Sequence, residues 1–309
     1  MVLVKVASAA VAAHLLGGGR GEIVDALSQA WVDGQSLRVY RQAPNAGPRK
    51  SWAAGDATAR GVHLALLTMK GEMGYPGALS ARTWGFYDVL FGGRKFRFQR
   101  PFDSYVMENV LFKVAFPAEF HAQTAVEAAL QLHPLVGKRL EEVREIPLTT
   151  QEPALRIISK TGPLHNPADR DHCLQYMVAV ALIYGEFTAD HYGDEIAADP
   201  RIDALREKMK AVEDPRYSRD YLDPDKRSIA NAVQVHFRNG SSTEKVEVEF
   251  PVGHRRRRSE GLPKLIEKFD RNLASRFPAR RVEAIRKLCL DRERFEVTAV
   301  HQFMDLLEF

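Results

Sequence analysis

The chain has 309 residues, of which 45% are hydrophobic and 27% charged, with a formal net charge of +4 and two cysteines, Cys173 and Cys289. Such values describe an ordinary globular chain and exclude a disordered or disulfide-framed one. The mild basicity suits an anionic ligand but is too small to indicate nucleic acid, and two thiols cannot supply the three or four that an iron–sulfur cluster takes. The length sets an expectation of two domains, and the scarcity of cysteine points to a reducing compartment.

The first apolar run, Val2 to Leu16, superficially resembles a short signal peptide, but His14 interrupts it and Gly17-Gly18-Gly19 stops it. It reads instead as a buried helix over Lys5–Leu16. No apolar run reaches the ~18 residues of a membrane span. Glu22–Asp33 reads as a second helix, with Ile23, Leu27 and Ala30 on one face. The Pro- and Gly-bearing stretch from Gln42 to Gly55 reads as a loop, after which Asp56 can cap a third helix reaching Met69. Gly71–Pro76 is a breaker cluster, and Thr83–Phe91 a short apolar element. Up to about Met107 the texture is therefore helical.

From Glu108 an apolar run leads into Phe116-Pro117, and a helical Ala-rich segment, Gln123–Leu132, follows. Backbone before a proline is pushed extended, which predicts a sharp strand-to-helix junction there, a corner between domains that gathers Lys113, Glu119 and His121 and faces a substrate. Arg144–Thr150 reads as a strand, Asp169–Ile183 as one long apolar helix, and Pro200–Lys210 as a charged surface helix. Val233, Val235 and Phe237 alternate with polar residues, as do Val246, Val248 and Phe250, with Arg238-Asn239-Gly240-Ser241 between them: a hairpin with a half-buried sheet. After Pro251, Leu262–Leu273, Arg280–Leu290 and His301–Leu307 read as helices. This order of elements is α+β, with an α+β domain set between two parts of a helical one.

Several clusters bear chemistry. Arg49-Lys50, in a loop before a helix, forms an anion receptor if both cations and the free helix N–H groups converge; otherwise it is an exposed basic loop. In Asn166–Tyr176, Asn166 or Asp169 starts a helix carrying Arg170 and Asp171, and His172 and Tyr176 stand at i and i+4, on one face. Against an ordinary helix start with a core tyrosine stands a site built on that polar face. Arg255-Arg256-Arg257-Arg258 lacks interleaved aromatics and reads as a solvated turn, from which one or two arginines can reach a polyanion. His165, His172 and Cys173 lack a second spaced pair, which argues against a metal.

The strings Trp31–Arg38, Arg49-Lys-Ser-Trp-Ala-Ala-Gly-Asp-Ala-Thr58, Gly71-Glu-Met-Gly-Tyr-Pro76, Phe98-Gln-Arg-Pro101, Phe116-Pro-Ala-Glu-Phe-His121 and Gly162–Tyr176 closely resemble the MmgE/PrpD family, in its propionate-catabolism branch. The resemblance covers essentially the whole chain. It implies a mainly helical domain with an inserted α+β lid: a partial helical domain over 1–107, the lid over 108–252, and 253–309 returning to the helical domain. It also implies a cytoplasmic homodimer acting on a small tricarboxylate, without metal, iron–sulfur cluster, nucleic acid or membrane. Family members carry a further N-terminal helical segment with catalytic Asp and His residues, so the resemblance implies that this chain begins inside the helical domain.

The activity implied is a hydro-lyase step of the methylcitrate cycle, removal of water from 2-methylcitrate to give 2-methyl-cis-aconitate. The alternatives are an inactive fragment and a family member acting on citrate or cis-aconitate. Dehydration needs a base for the proton beside a carboxylate, an acid for the departing hydroxyl, and fixed cations for three carboxylates. Likeness to the sister enzyme cis-aconitate decarboxylase implies roles for Lys50 and Tyr176. In the Phe-Pro-Ala string Lys113 lies one residue farther from the proline, Glu119 stands at the histidine's place, and His121 is two residues on. The residues expected to act are Lys50, Lys113, His121, His172 and Tyr176, with Arg49 and Arg170 joining Lys50 and Lys113 in substrate binding.

Overall fold

The computed structural model describes residues 1–34, 37, 39–41, 46–98, 101–103, 106 and 110–308. By backbone contacts the chain forms two compact units. The first comprises Met1–Asp103, Glu152–Val180 and Asp190–Ala211; the second comprises Ser104–Gln151, Ala181–Ala189 and Val212–Phe309. This division runs differently from boundaries at 107 and 252, because the segment 152–180 groups with the N-terminal helices and 253–309 groups with 104–151.

The first unit is built on three helices, α1 (Val2–Leu15), α2 (Arg20–Val32) and α3 (Arg49–Met69). Their shared core is almost entirely alanine: Ala9, Ala13, Ala26, Ala30 and Ala65, with Leu64. Such small side chains bring helix backbones close, and Gly61 takes this furthest. A Cβ on Gly61 would stand 2.6 Å from the Lys5 carbonyl and 3.0 Å from the Ala9 nitrogen, so α3 lies against the α1 backbone. Lys5, buried, closes the C-terminus of α2 by donating to the Asp33 carbonyl at 2.5 Å and the Gly34 carbonyl at 2.7 Å. A lysine there satisfies helix-end carbonyls and opposes the helix dipole. A short fourth helix, α4 (Phe86–Phe91), sets Phe86 edge-on to Trp31 at 4.7 Å.

Three expectations for this unit need correction. The loop expected to reach Gly55 ends earlier, since α3 begins at Arg49 behind Pro48, and Asp56 is inside the helix rather than its cap. Proline preorganises the entry to a helix, and Asp56 serves Arg49 instead, at 3.1 Å. Residues 42–45 of that loop lie outside the described residues. The long helix expected over Asp169–Ile183 is two, Pro167–Asp171 and Leu174–Tyr184. The His172 amide closes on both the Ala168 and Asp169 carbonyls and the Cys173 amide on Arg170, which tightens and ends the first helix. The charged helix from Pro200 stops at Arg206 and buries Ile202 and Leu205, so it is amphipathic.

The second unit holds most of a five-stranded sheet, in which three of the pairings are antiparallel. Strand β1 (Val143–Thr150) precedes β2 (Met209–Glu213), whose residues straddle the division, and β3 (Asn231–Val233), β4 (His236–Phe237) and β5 (Val246–Val248) follow. β1 pairs with β3 in the register Leu148↔Val233, and β3 with β5 as Asn231↔Val248 and Val233↔Val246. Hence the alternating runs around Gly240 do form neighbouring strands, and Gly240 takes the positive φ of 87° the turn needs. β4 pairs with β1 through a bulge. The helix Gln123–Val136 packs on β3 and β5 with Ala125, Val126, Ala129 and Leu132 buried.

The strand expected before Phe116 does not form over 110–115, the described part of that run; residues 107–109 lie outside the described residues. The segment finds its partners elsewhere: Phe112 donates to the Gly253 carbonyl at 3.2 Å, and Arg258 donates to the Val110 carbonyl at 2.8 Å. A 3-10 turn, Phe120–Ala122, intervenes before the helix, capped by Glu119.

Gly61→Ala tests the close approach of α1 and α3. A mid-helix alanine ordinarily gains about 1 kcal/mol over glycine, but here overpacking should cost about 1–3 kcal/mol. The variant should therefore melt below the parent chain in a thermal scan.

Candidate active site

In the first unit the break between the helices Pro167–Asp171 and Leu174–Tyr184 presents the chemistry. Asn166 opens the first of them, its side chain accepting from the Ala168 and Asp169 amides at 2.9 and 3.0 Å, with Pro167 at the first helical position. Asp171 and His172 then fall at its end. Lys50, in the first turn of α3, donates to Asp171 Oδ2, and its Nζ lies 3.4 Å from His172 Nδ1. His172 Nδ1 is itself 3.2 Å from Asp171 Oδ2, and the Tyr192 hydroxyl donates to Asp171 Oδ1 at 3.3 Å.

Three groups therefore converge on one largely buried carboxylate. Burial pushes the Asp171 carboxyl up, but the hydrogen bond from His172 and the charge and hydrogen bond of Lys50 outweigh it and hold it down to about 2. Asp171 is thus an anion at any working pH and a very weak base. Its chemical service is to fix the Lys50 ammonium in place. His172 is fully buried, and its Nε2 has no hydrogen-bond partner among the described residues. A Nδ1–H tautomer donating to Asp171 leaves Nε2 as a bare acceptor, the cheaper kind of orphan to bury.

Tyr176 joins this cluster indirectly. Its hydroxyl donates to the His191 carbonyl at 2.6 Å, and its ring stacks on Tyr192 with centroids 6.3 Å apart. It is 2% exposed, and because the helix is broken it does not share a helical face with His172, as the spacing had suggested. Arg170 is buried and donates to the Tyr192 carbonyl at 2.6 Å and to Asp194 at 2.6 Å, so it locks the segment bearing Tyr192. Arg49 turns away from Lys50: it pairs with Asp56 and lies over the Trp52 ring at 4.2 Å. The two adjacent cations do not converge on one receptor.

The second unit carries its own group. His121 Nδ1 lies 2.8 Å from Glu119 Oε2, whose carboxylate also accepts the His121 amide at 2.8 Å. His121 Nε2 is 3.3 Å from the Tyr221 hydroxyl, and Asn231 donates to the His121 carbonyl at 2.7 Å. A carboxylate on one ring nitrogen fixes the tautomer and supports the imidazolium that forms when the other takes a proton. Lys113 stands over the Phe120 ring at 5.6 Å.

The arginine run is less solvated than expected. Arg257 donates to both oxygens of Glu127 at 2.9 and 2.8 Å, Arg256 lies over Phe250, and Arg258 lies over Phe112 at 4.4 Å. The run is organised by the buried His254, whose Nδ1 accepts the Arg256 amide and whose Nε2–H donates to the Lys226 carbonyl. Burial pushes its pKa down, the Lys226 bond acts upward, and Arg255, Arg256 and Arg258 add to the fall, to about 4. Among the described residues no three His, Cys, Asp or Glu side chains gather as a metal site.

Asp171 and Tyr192 are the functional candidates that sequence reasoning passed over. Asp171 lay within the Asn166–Tyr176 string, but nothing in its spacing marked it as the hub. Tyr192 carried no signal.

Residues 1–99 match the model of the MmgE/PrpD N-terminal domain, and residues 116–292 match that of the MmgE/PrpD C-terminal domain. The chain belongs to the MmgE/PrpD family. Its α+β architecture is that of the family. It is 60% identical over 99% of its length to the 2-methylcitrate dehydratase of Salmonella typhimurium, covering 64% of that protein. It is 62% identical over 92% of its length to the mitochondrial 2-methylcitrate dehydratase of Yarrowia lipolytica, covering 55% of it, and 49% identical over 99% to the 2-methylcitrate dehydratase-like protein oryR of Aspergillus oryzae. The chain thus spans less than two thirds of the length of these MmgE/PrpD relatives. No described helix is long and apolar enough to cross a membrane.

Asp171→Asn tests the hub. A carboxyl held to about 2 against an ordinary 3.8 contributes stability above the ordinary value and loses it as pH falls through the lower one. The variant should lose about 2 kcal/mol at neutral pH, and its deficit against the parent in urea unfolding should shrink as the buffer is taken from about pH 5 to about pH 3. A deficit independent of pH would show that the carboxylate's charge is not what matters.

Proposed function

We propose that the chain serves dehydration of a methyl-branched tricarboxylate, 2-methylcitrate, to its unsaturated product. The identity of 58–60% to bacterial proteins of that name over 99% of the chain supports this substrate. The observation that carries the chemistry is the Lys50–Asp171–His172 cluster: a lysine held in position by a largely buried carboxylate is the group a substrate carboxylate needs. Within the second unit, Lys113 is the candidate cation and His121, oriented by Glu119, the candidate acid or base. His172 and Tyr176 are too buried to reach a substrate and act as positioning residues, as does Arg170. Elimination of water moves no electrons between substrate and protein, so the step as proposed uses no redox cofactor, and two cysteines are too few for cluster ligation. We extend the proposal to a cytoplasmic homodimer, the arrangement the family resemblance implies.

A second reading, a chain inactive by itself, is favoured by the exposed apolar residues Leu3, Val11 and Leu15 of α1, which stand 69, 57 and 78% exposed. One assay separates the two. The conjugated product absorbs in the ultraviolet, so turnover of 2-methylcitrate by the purified chain is followed directly. Turnover that Lys50→Ala lowers by roughly 100-fold supports the dehydratase; turnover that this variant leaves intact removes Lys50 from the mechanism. No turnover by the parent chain supports the second reading.

A further inference from the structure

The helix Arg258–Ala274, in the second unit, carries Lys264, Lys268 and Arg271 at a spacing of four and three residues, hence on one face. All three line a cavity of about 280 Å³, whose walls include Val114, Phe116 and Val252. Two carboxylates also line it. Glu127 is committed to Arg257 through two bonds, leaving Glu267 as the remaining carboxylate of the lining. Lys264 is paired with Glu260 at 3.0 Å. Neither Lys268 nor Arg271 forms an ion pair among the described residues. The Lys268 ammonium instead donates to the Lys113 carbonyl, and so is held at the cavity wall. Partial burial pushes the Lys268 pKa down, and the positive charges of Lys113 and Arg271 push it further. The pocket thus concentrates positive charge beside an apolar floor without enough carboxylate to neutralise it.

We propose that this pocket binds a small multivalent oxyanion, a phosphate or a dicarboxylate, between Lys268 and Arg271. The volume admits a small ion rather than a nucleotide. The Arg271 guanidinium can take two oxygens in its planar fork while the Lys268 ammonium takes a third as a point charge. An anion there relieves the repulsion between Lys268 and Arg271, and a dianion does so more than a monovalent ion. The site does not depend on the dehydratase assignment, since binding is read without turnover.

The experiment is an NMR titration of the intact chain with its lysines reductively ¹³C-methylated, the Lys268 signal being assigned by its loss in Lys268→Met. Inorganic phosphate, succinate and chloride are the probes. The Lys268 signal should move saturably with phosphate or succinate and its pKa should rise, with affinity at least about tenfold above that for chloride. The tighter of the two names the source of the oxyanion. Arg271→Gln should weaken binding about tenfold, and Glu267→Gln, which removes the competing carboxylate, should strengthen it. A Lys268 signal that ignores both dianions, or follows chloride equally, overturns the site. So does an Arg271→Gln chain that stays folded by circular dichroism and binds as the parent does.

Discussion

The carboxylate of Asp171 is the point on which the first unit's polar architecture turns. It is largely buried, which by itself opposes charge, and it is nevertheless held anionic because His172 and Lys50 both address it, with the Tyr192 hydroxyl on its other oxygen. Removing one of those partners leaves a largely buried charge short of compensation, which is why a buried ionic group is costly to break even when it adds little on balance. The two helices that meet at Asp171 are consequently fixed relative to α3, and the lysine at the head of α3 is fixed relative to them.

The second unit solves a related problem with different parts. There a histidine and a glutamate two residues apart share a 3-10 turn, so backbone geometry rather than a distant contact fixes the pair. Tyr221 and Asn231 hold the ring and the turn from other elements. The two devices differ in what they offer chemically. Lys50 is a cation anchored by a carboxylate from another element, whereas His121 is an imidazole whose ring is oriented by its own neighbouring carboxylate.

Much of the fold could be read from residue pattern. The alternation around Gly240 marked two strands of the sheet, and the periodic runs after Pro251 marked the last helices. What could not be read were the places where local rules were overruled by partners. Pro48 opens a helix seven residues before Gly55, because an interior glycine is tolerated when the rest of the helix packs. His172 and Tyr176 looked like helical neighbours because spacing carries no warning of a break; the break arises from amide closures at His172 and Cys173. The apolar run before Phe116 had the composition of a strand but pairs with a loop at Gly253 and with Arg258. Of the site, the cationic and imidazole members were legible by their chemical type. Asp171 as their hub was not, since its role follows from a lysine far away in sequence.

That separation has a consequence for how the protein is made. Lys50 and Asp171 lie 121 residues apart in the chain. Contacts so distant in sequence form late, after the intervening loop has been closed. During synthesis α3 leaves the ribosome with its leading lysine still hydrated, and the contact must wait until the segment 152–180 has emerged and docked. A nascent chain that stalls before that point carries the helices of α1 to α3 but lacks the Lys50–Asp171 contact.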